Sequence, residues 1–496
     1  MNYFPPETRK IDFAFVLPLA AAILLKLVRL DAAAIWLDET FTANWVRLPW
    51  DGMIRAAMAD NHLPLYFILL KAWSYAFGET PWALRLLSVV FSCAMVPVVA
   101  RIAMTLSGRP AAIWAAWLTA LSPFLLHHGQ EARMYPLLGL LASINVLLVA
   151  RFLMNRTHRL GLGFLAVNIA MLATHYYAVF LVSVEFPILF LLAHKRWRNW
   201  LPACIASCML CIGPMLAAKY LATPVAGGGY EGIGQIGLPG MIWGLLSGYA
   251  LMPSSEEFHR QGLKAAYPYL PLAFTIFCLT LVVAKNALHS ISRTAWILLL
   301  GLLAGVLLGP LAISAVFSIG INPRYATAAT PVFLVLLAIG LAGIVEQKHG
   351  RLLAAALVIF MAFASLQHLM DPGHGREDVF AAQSWLDKNV PSEEEILFMS
   401  EEFQLLTNYH WPTRHFTLFP PRKPVVTKNS GDAIADAMPI GKNGRTIFLI
   451  SREWISDPND LLEGALRKRF GDCGSTSVRG IRLLCLTPTK DTNSKP

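Results

Sequence analysis

Residues 322–346 read NPRYATAATPVFLVLLAIGLAGIVE. From Ala328 to Val345 no residue is charged. A helix of about 20 such residues crosses the roughly 30 Å of bilayer hydrocarbon. The two ends of the run differ: Arg324 and Tyr325 stand before it, and Lys348 and Arg351 follow it. Comparable apolar blocks occur at 11–30, 84–106, 110–128, 134–154, 160–175, 177–194, 199–221, 267–286, 294–318 and 351–370. The chain therefore reads as a polytopic α-helical membrane protein of about eleven spans, twelve or thirteen at the upper end of the count. The fifth and sixth blocks are short and closely coupled. A further apolar stretch, 63–77, is short and interrupted by Lys71, which suits a helix lying in the interface. The first block, with Ala32, Ala33 and Ala34 after it, resembles a cleavable signal, but its length and its distal Lys26 and Arg29 suit a retained span. Composition agrees: 56% of residues are hydrophobic and 15% charged, against about a quarter charged in soluble domains.

The formal net charge is +10, but its distribution argues for no nucleic acid partner. Basic residues fill alternate inter-span segments: Arg9 and Lys10; Arg101 and Arg109; Arg151, Arg156 and Arg159; Lys195, Arg196 and Arg198; Lys285 and Arg293; Lys348 and Arg351. The positive-inside rule makes these cytoplasmic. The N-terminus is then cytoplasmic and everything beyond Asp371 is external, on the periplasmic side of a bacterial inner membrane. Residues 1–370 form a membrane domain that includes a long external loop, 31–83, with interfacial helices. Residues 371–496 turn soluble in composition, helix-like stretches (377–389, 460–470) alternating with strand-like runs (396–399, 446–451, 481–486). That alternation predicts a small periplasmic α/β domain. In the other large external loop, 222–266, the glycine-rich run Gly227-Gly228-Gly229-Tyr230-Glu231-Gly232 is too flexible for a stable helix and reads as a mobile closure or a plain connector.

Five cysteines, Cys93, Cys204, Cys208, Cys211 and Cys278, fall in spans as small packing residues. Cys473 and Cys485 lie in the external segment, where an oxidising compartment permits a disulfide.

The polar outliers collect on the external edge. Asp38 and Glu39 follow the first span, and Asn61 and His62 precede Pro64-Leu65-Tyr66 in the same loop. The second external loop reads His127-His128-Gly129-Gln130-Glu131-Ala132-Arg133-Met134-Tyr135, the third holds Thr174-His175-Tyr176-Tyr177, and the fifth Asn322-Pro323-Arg324-Tyr325. A carboxylate pair beside a span can act as a general base, and arginines from separate loops can clamp a phosphate. Tyr135, His175 and Tyr325 can add hydrogen bonds. Such a set suits a reaction in which a phosphate departs from a lipid carrier. The plainer alternatives are solvated or capping acids at a helix end, and arginines anchored at the interface. Adjacent histidines diverge on a helix, so His127 and His128 give no metal site; a divalent cation is compatible with the residues but unsupported by them, and no cofactor is implied. Glu185, inside a span, must face protein or water, as a functional carboxylate or a packing contact.

Taken in order, Trp36-Leu37-Asp38-Glu39, Asn61-His62-Leu63-Pro64-Leu65-Tyr66, Arg85-Leu86-Leu87-Ser88, Gln130-Glu131-Ala132-Arg133-Met134-Tyr135, Thr174-His175-Tyr176 and Pro323-Arg324-Tyr325 resemble the polyprenyl-phosphate-sugar glycosyltransferases of the GT-C type. Within them the resemblance is to the bacterial branch related to protein O-mannosyltransferases and the lipid A aminoarabinose transferase. It covers residues 11 to about 345 and leaves the C-terminal domain unexplained. The resemblance implies inverting transfer of a sugar from an undecaprenyl- or dolichyl-phosphate donor to a glycan, lipid or protein acceptor on the external face. It implies Asp38 as the base, with Glu39 orienting the acceptor or sharing that role. It places Arg133, Arg324, Tyr135, His175 and Tyr325 at the donor phosphate, and His62, Tyr66, Gln130 and Glu131 toward the acceptor or sugar. The alternative is a transporter or flippase of a lipid-linked or anionic substrate. Transporters commonly carry internal repeats and midplane charges; this sequence shows no repeat, and Glu185 is its main charge away from the span ends.

Overall fold

The computed structural model describes residues 12–60, 62–155, 161–193, 198–199, 201–209, 213, 237–317, 322–400, 403–420, 426–452 and 456–489. Among these, six helices are long and apolar enough to cross a membrane: Pro81–Ser107, Tyr135–Leu153, Gly262–Ser290, Arg293–Ala315, Pro323–Ile344 and Gly350–Met370. The helices Arg109–Leu121 and Pro123–Gly129, bent by 49° at their junction, make a seventh if counted as one span. Three expected spans are shorter apolar helices, Phe13–Leu27, Gly161–Thr174 and Ala178–Leu192, and the expected interfacial helix is Leu65–Phe77. Most of 199–221 lies outside the described residues, as do Gly227–Gly232 of the glycine-rich run, Asn61, Cys211, Arg9, Lys10, Arg156, Arg159, Lys195 and Arg196. The protein is a polytopic α-helical membrane protein with a small sheet near its C-terminus.

The chain divides into two compact units. The first comprises Met1–Leu30, Pro49–Met252 and Ala266–Met370. Its helices begin and break where local chemistry dictates. Thr80 caps Pro81–Ser107 by accepting the Ala83 N–H, and proline occupies the first position, where no amide donor is needed. At Ser122 the next span breaks: the Ser122 hydroxyl takes the Leu125 N–H at 3.3 Å. The Leu121 carbonyl, thereby deprived of that donor, accepts Ser365 Oγ at 2.9 Å instead. Within a bilayer every backbone group needs such a substitute. On Arg293–Phe317, Gly301, Gly305 and Gly309 face Ile188, Val184 and Phe180 of Ala178–Leu192, and a Cβ on any of them would collide with its partner. This is the small-residue ridge by which membrane helices approach closely without a hydrophobic drive between them. Glu185 is fully buried and faces protein: Asn145 Nδ2 donates to it at 3.2 Å and to Asn168 Oδ1 at 2.6 Å.

The second unit comprises Asp31–Leu48, Pro253–Ala265 and Asp371–Pro496. The α/β pattern expected beyond Asp371 is present. The strands are β1 (Ile396–Met399), β2 (Phe416–Leu418), β3 (Thr446–Ser451), β4 (Phe470–Asp472), β5 (Thr476–Val478) and β6 (Ile481–Pro488). They form one sheet in the order β2-β1-β3-β6-β4, with β5 also on β6. β1 runs parallel to β2 and β3, and β6 antiparallel to β3, β4 and β5. Every residue of β1 and β3 is buried, as befits parallel strands covered on both faces. One face packs Ile396, Phe398, Ile447 and Leu449 against Val379, Ala382 and Leu386 of the helix Val379–Asn389; Leu37, from the start of the helix Leu37–Arg47, joins this core. The other face packs Leu397, Phe448 and Leu484 against Ile434, Leu462 and Leu466. Each fully buried Leu, Ile, Val or Phe among them contributes about 1.5–3 kcal/mol. Cys473 and Cys485 form a disulfide, their Cα atoms 5.0 Å apart.

Candidate functional site

In the first unit polar residues of the loops at the span ends converge into one buried network. The turn after the helix Pro123–Gly129 carries Gln130, Glu131 and Arg133, each no more than 4% exposed. Arg133 Nη2 donates to His62 Nε2 at 2.7 Å, and His62 Nδ1 donates to the Asp60 carbonyl at 2.7 Å. Burial, then the guanidinium beside it, hold His62 below the usual histidine range. The ring is therefore neutral at pH 7, an acceptor toward Arg133, and it fixes the direction of that guanidinium. Tyr66 is fully buried and pairs with Ser88 Oγ at 3.0 Å, and Ser88 Oγ donates to the Arg133 carbonyl at 3.3 Å. Tyr66 thus supports the arginine from behind. Gln130 is engaged at both ends: Nε2 donates to the carbonyls of Lys26 (3.1 Å) and Val28 (2.8 Å), and Oε1 pairs with His368 Nε2 at 3.1 Å. It ties three helix ends together.

A second arginine reaches the same network from the 3₁₀ turn Pro323–Ala329. Asn322 Oδ1 takes the Arg324 N–H at 3.1 Å, and Thr327 Oγ1 donates to the Arg324 carbonyl at 2.6 Å. The Arg324 guanidinium lies 5.9 Å from the ring centres of both Tyr135 and Tyr325. Tyr325 stacks on Tyr177 at 4.1 Å, and Tyr135 stands 5.8 Å from the His175 ring. His175 Nδ1 accepts the Tyr177 N–H at 3.1 Å, which sets the ring. Burial pushes the phenols of Tyr176 and Tyr177 up, so both stay protonated hydrogen-bond donors. The result is a cluster of two fixed cations and several neutral donors, the composition that receives an anion.

Glu131 sits at the other side of the network. Its carboxylate lies 3.4 Å from His127 Nε2 and 3.0 Å from His128 Nδ1. The expected divergence of adjacent histidines does not hold here. The helix ends at Gly129, and Glu131, in the following turn, reaches both rings. All three ligand atoms fall within 4.8 Å of one another. Two imidazoles and a carboxylate suit a divalent transition metal, and they also satisfy one another by hydrogen bonding. Tyr249 completes this side: its ring lies 4.3 Å from that of His127, its hydroxyl donates to Asn322 Oδ1 at 3.0 Å, and burial pushes its phenol up. Sequence reasoning missed Tyr249, because loop 222–266 offered only a glycine-rich signal. Tyr177 stands in its motif with no role assigned by the sequence, and nothing marks His368 inside an apolar block.

Asp38 and Glu39 belong to the second unit, in the first turn of the helix Leu37–Arg47. Glu39 is fully buried, and Asp38 is partly exposed. Arg452 Nη2 lies 3.8 Å from Asp38 Oδ1.

No protein-family profile matches the chain, and no curated protein is detectably similar to it in sequence. Solved structures share its fold. ArnT from Cupriavidus metallidurans in the apo state aligns with a TM-score of 0.55 at 12% identity, covering 95% of this chain and 97% of that one. The apo oligosaccharyltransferase of Archaeoglobus fulgidus aligns with a TM-score of 0.50 at 13% identity, covering 97% and 75%. The chain has the GT-C fold.

Proposed function

We propose that this protein is a glycosyltransferase that moves a sugar from a polyprenyl-phosphate carrier to an acceptor hydroxyl at the periplasmic face of a bacterial inner membrane. The observation that carries the reading is the convergence of Arg133 and Arg324, from different loops, on one network rich in tyrosine and histidine. The GT-C fold supports it.

In this reading the acceptor oxygen attacks the anomeric carbon from the side opposite the phosphate, and its proton passes to the Asp38 carboxylate. The bond between the anomeric carbon and the phosphate oxygen breaks, and the pair of electrons leaves with the polyprenyl phosphate. A single displacement of this kind inverts the anomeric centre. Negative charge grows on the phosphate as the bond breaks, and Arg133 and Arg324 stabilise it; charge-assisted hydrogen bonds of this sort contribute about 1.5–3 kcal/mol each. A base in reach of the acceptor proton accounts for roughly 10²–10⁴ in rate. Tyr135, His175 and Tyr325 support the phosphate. Glu39 backs Asp38, and Glu131 faces the acceptor or sugar.

Mass spectrometry of glycolipids and lipopolysaccharide from cells with and without the protein tests the reading. One species should lose one sugar in its absence and regain it with the wild-type chain but not with Asp38→Asn. Movement of a lipid-linked sugar across vesicle membranes with no glycosylated product would replace this reading with a transporter.

A further inference from the structure

Asp38 is gripped, within the second unit, by residues that follow it by several hundred positions. The Leu37 N–H donates to Glu377 Oε2 at 3.4 Å, and the Leu37 side chain is part of the sheet's core. His410 Nε2 donates to the Ile35 carbonyl at 2.7 Å, and Asn44 Nδ2 donates to the Leu405 carbonyl at 3.3 Å. The guanidiniums of Arg376 and Arg452 lie 5.4 and 5.9 Å from the Trp36 ring centre. The peptide that carries the acid is thus clasped before, at and after Asp38.

Arg452 is the part of this clasp that reaches the carboxylate. It has a left-handed backbone, φ 46°, which a residue with a Cβ adopts only when its surroundings compel it. Its N–H donates to the Gly480 carbonyl at 2.9 Å. Gly480 itself has φ 73°, and a Cβ there would press on the Glu377 Cα at 3.1 Å, so Gly480 holds both partners close. The Arg452 Nε donates to Glu377 Oε1 at 2.5 Å. Glu377, 2% exposed at its side chain, therefore bonds Arg452 with one oxygen and the Leu37 amide with the other. With Nε so fixed, Nη2 is left 3.8 Å from Asp38 Oδ1. At that separation the guanidinium supports the carboxylate's charge without forming a hydrogen bond to that oxygen.

We infer that Arg452, held by Glu377, is a positioning residue for Asp38: the attraction of its fixed guanidinium keeps the carboxylate in one place, and this is what the C-terminal domain contributes to the reaction. The inference rests on Asp38 being the base. Its removal acts on turnover and leaves donor-phosphate binding, built from residues of the first unit, unchanged. A base displaced by an ångström loses on the order of 10²-fold in rate.

The test uses the full-length protein in cells lacking the native copy, with the rate of formation of the sugar-bearing species read by mass spectrometry and normalised to folded protein. Undecaprenyl phosphate serves as the binding probe for purified protein in nanodiscs. Arg452→Ala should lower turnover by roughly 10–100-fold, Arg452→Lys should recover most of it, and Glu377→Gln should fall between, all with undecaprenyl phosphate affinity unchanged. Should Arg452→Ala not fold, Arg452→Lys is compared with Arg452→Gln: a faster lysine variant supports the inference, and equal rates overturn it. Wild-type turnover in Arg452→Ala, beside an inactive Asp38→Asn, overturns the inference and leaves the base in place. Wild-type turnover in Asp38→Asn removes the base itself.

Discussion

The two polar regions of this protein are built in opposite ways. The arginine network of the first unit is assembled mainly from short motifs at span ends, and its members lock one another: His62 holds Arg133, Asn322 and Thr327 hold the backbone of Arg324. The acid of the second unit is held by Arg452 and Glu377, residues with no motif around them and no proximity in sequence. In the proposed function the phosphate site needs many donors of moderate individual strength, which loops at neighbouring span ends would supply. The base needs one group held in place, which a folded domain would provide through a rigid backbone.

That contrast sets the expected effects. Asp38→Asn keeps the shape and removes the basic oxygen; sugar transfer should fall by roughly 10²–10⁴ while membrane insertion and undecaprenyl phosphate affinity stay as in the wild type. Loss of phosphate affinity in this variant would erase the division between the regions. Arg133→Ala and Arg324→Ala should do the reverse first, weakening undecaprenyl phosphate binding by about 10–100-fold each, since each removes charge-assisted bonds of about 1.5–3 kcal/mol; calorimetry in nanodiscs reads this directly. Affinity unchanged in both would remove the phosphate site from this network.

The smallest effect concerns pH. His62 has its folded-state pKa depressed, so the unfolded chain binds the proton more readily. Its contribution to stability is complete above the unfolded value of about 6.5 and is lost as pH falls from there toward the folded pKa. Thermal midpoints measured at pH 7.5 and 5.5 should therefore separate less in His62→Gln than in the wild type. An equal separation in both would show that the His62–Arg133 pair carries no pH dependence.

Much of the first unit was legible in the sequence because bilayer and helix impose periodicities that composition reports. Apolar runs marked the long spans, and Arg133, Tyr135, His175 and Arg324 stood out as polar residues at their ends. The short helices Phe13–Leu27, Gly161–Thr174 and Ala178–Leu192 were legible as apolar blocks but not in their length. Gln130 shows the limit at a single residue: its motif suggests a ligand contact, yet its amide is used by the carbonyls of Lys26 and Val28 and by His368. Only packing decides between those uses. Tyr249 was hidden in a loop whose one signal was its glycines, and the pairing of Arg452 with Asp38 depends on a sheet register that no local pattern encodes.

The distance along the chain between Asp38 and Arg452 also has a consequence for biogenesis. A ribosome makes the acid roughly four hundred residues before the guanidinium. Chains cut anywhere between Met370 and Arg452 would carry the spans, the arginine network and Asp38, but never the complete clasp, because Arg452 would be missing. In the proposed enzyme, competence is therefore acquired late, after the spans have been made, and a half-finished chain already able to hold a lipid phosphate would still lack the positioned base.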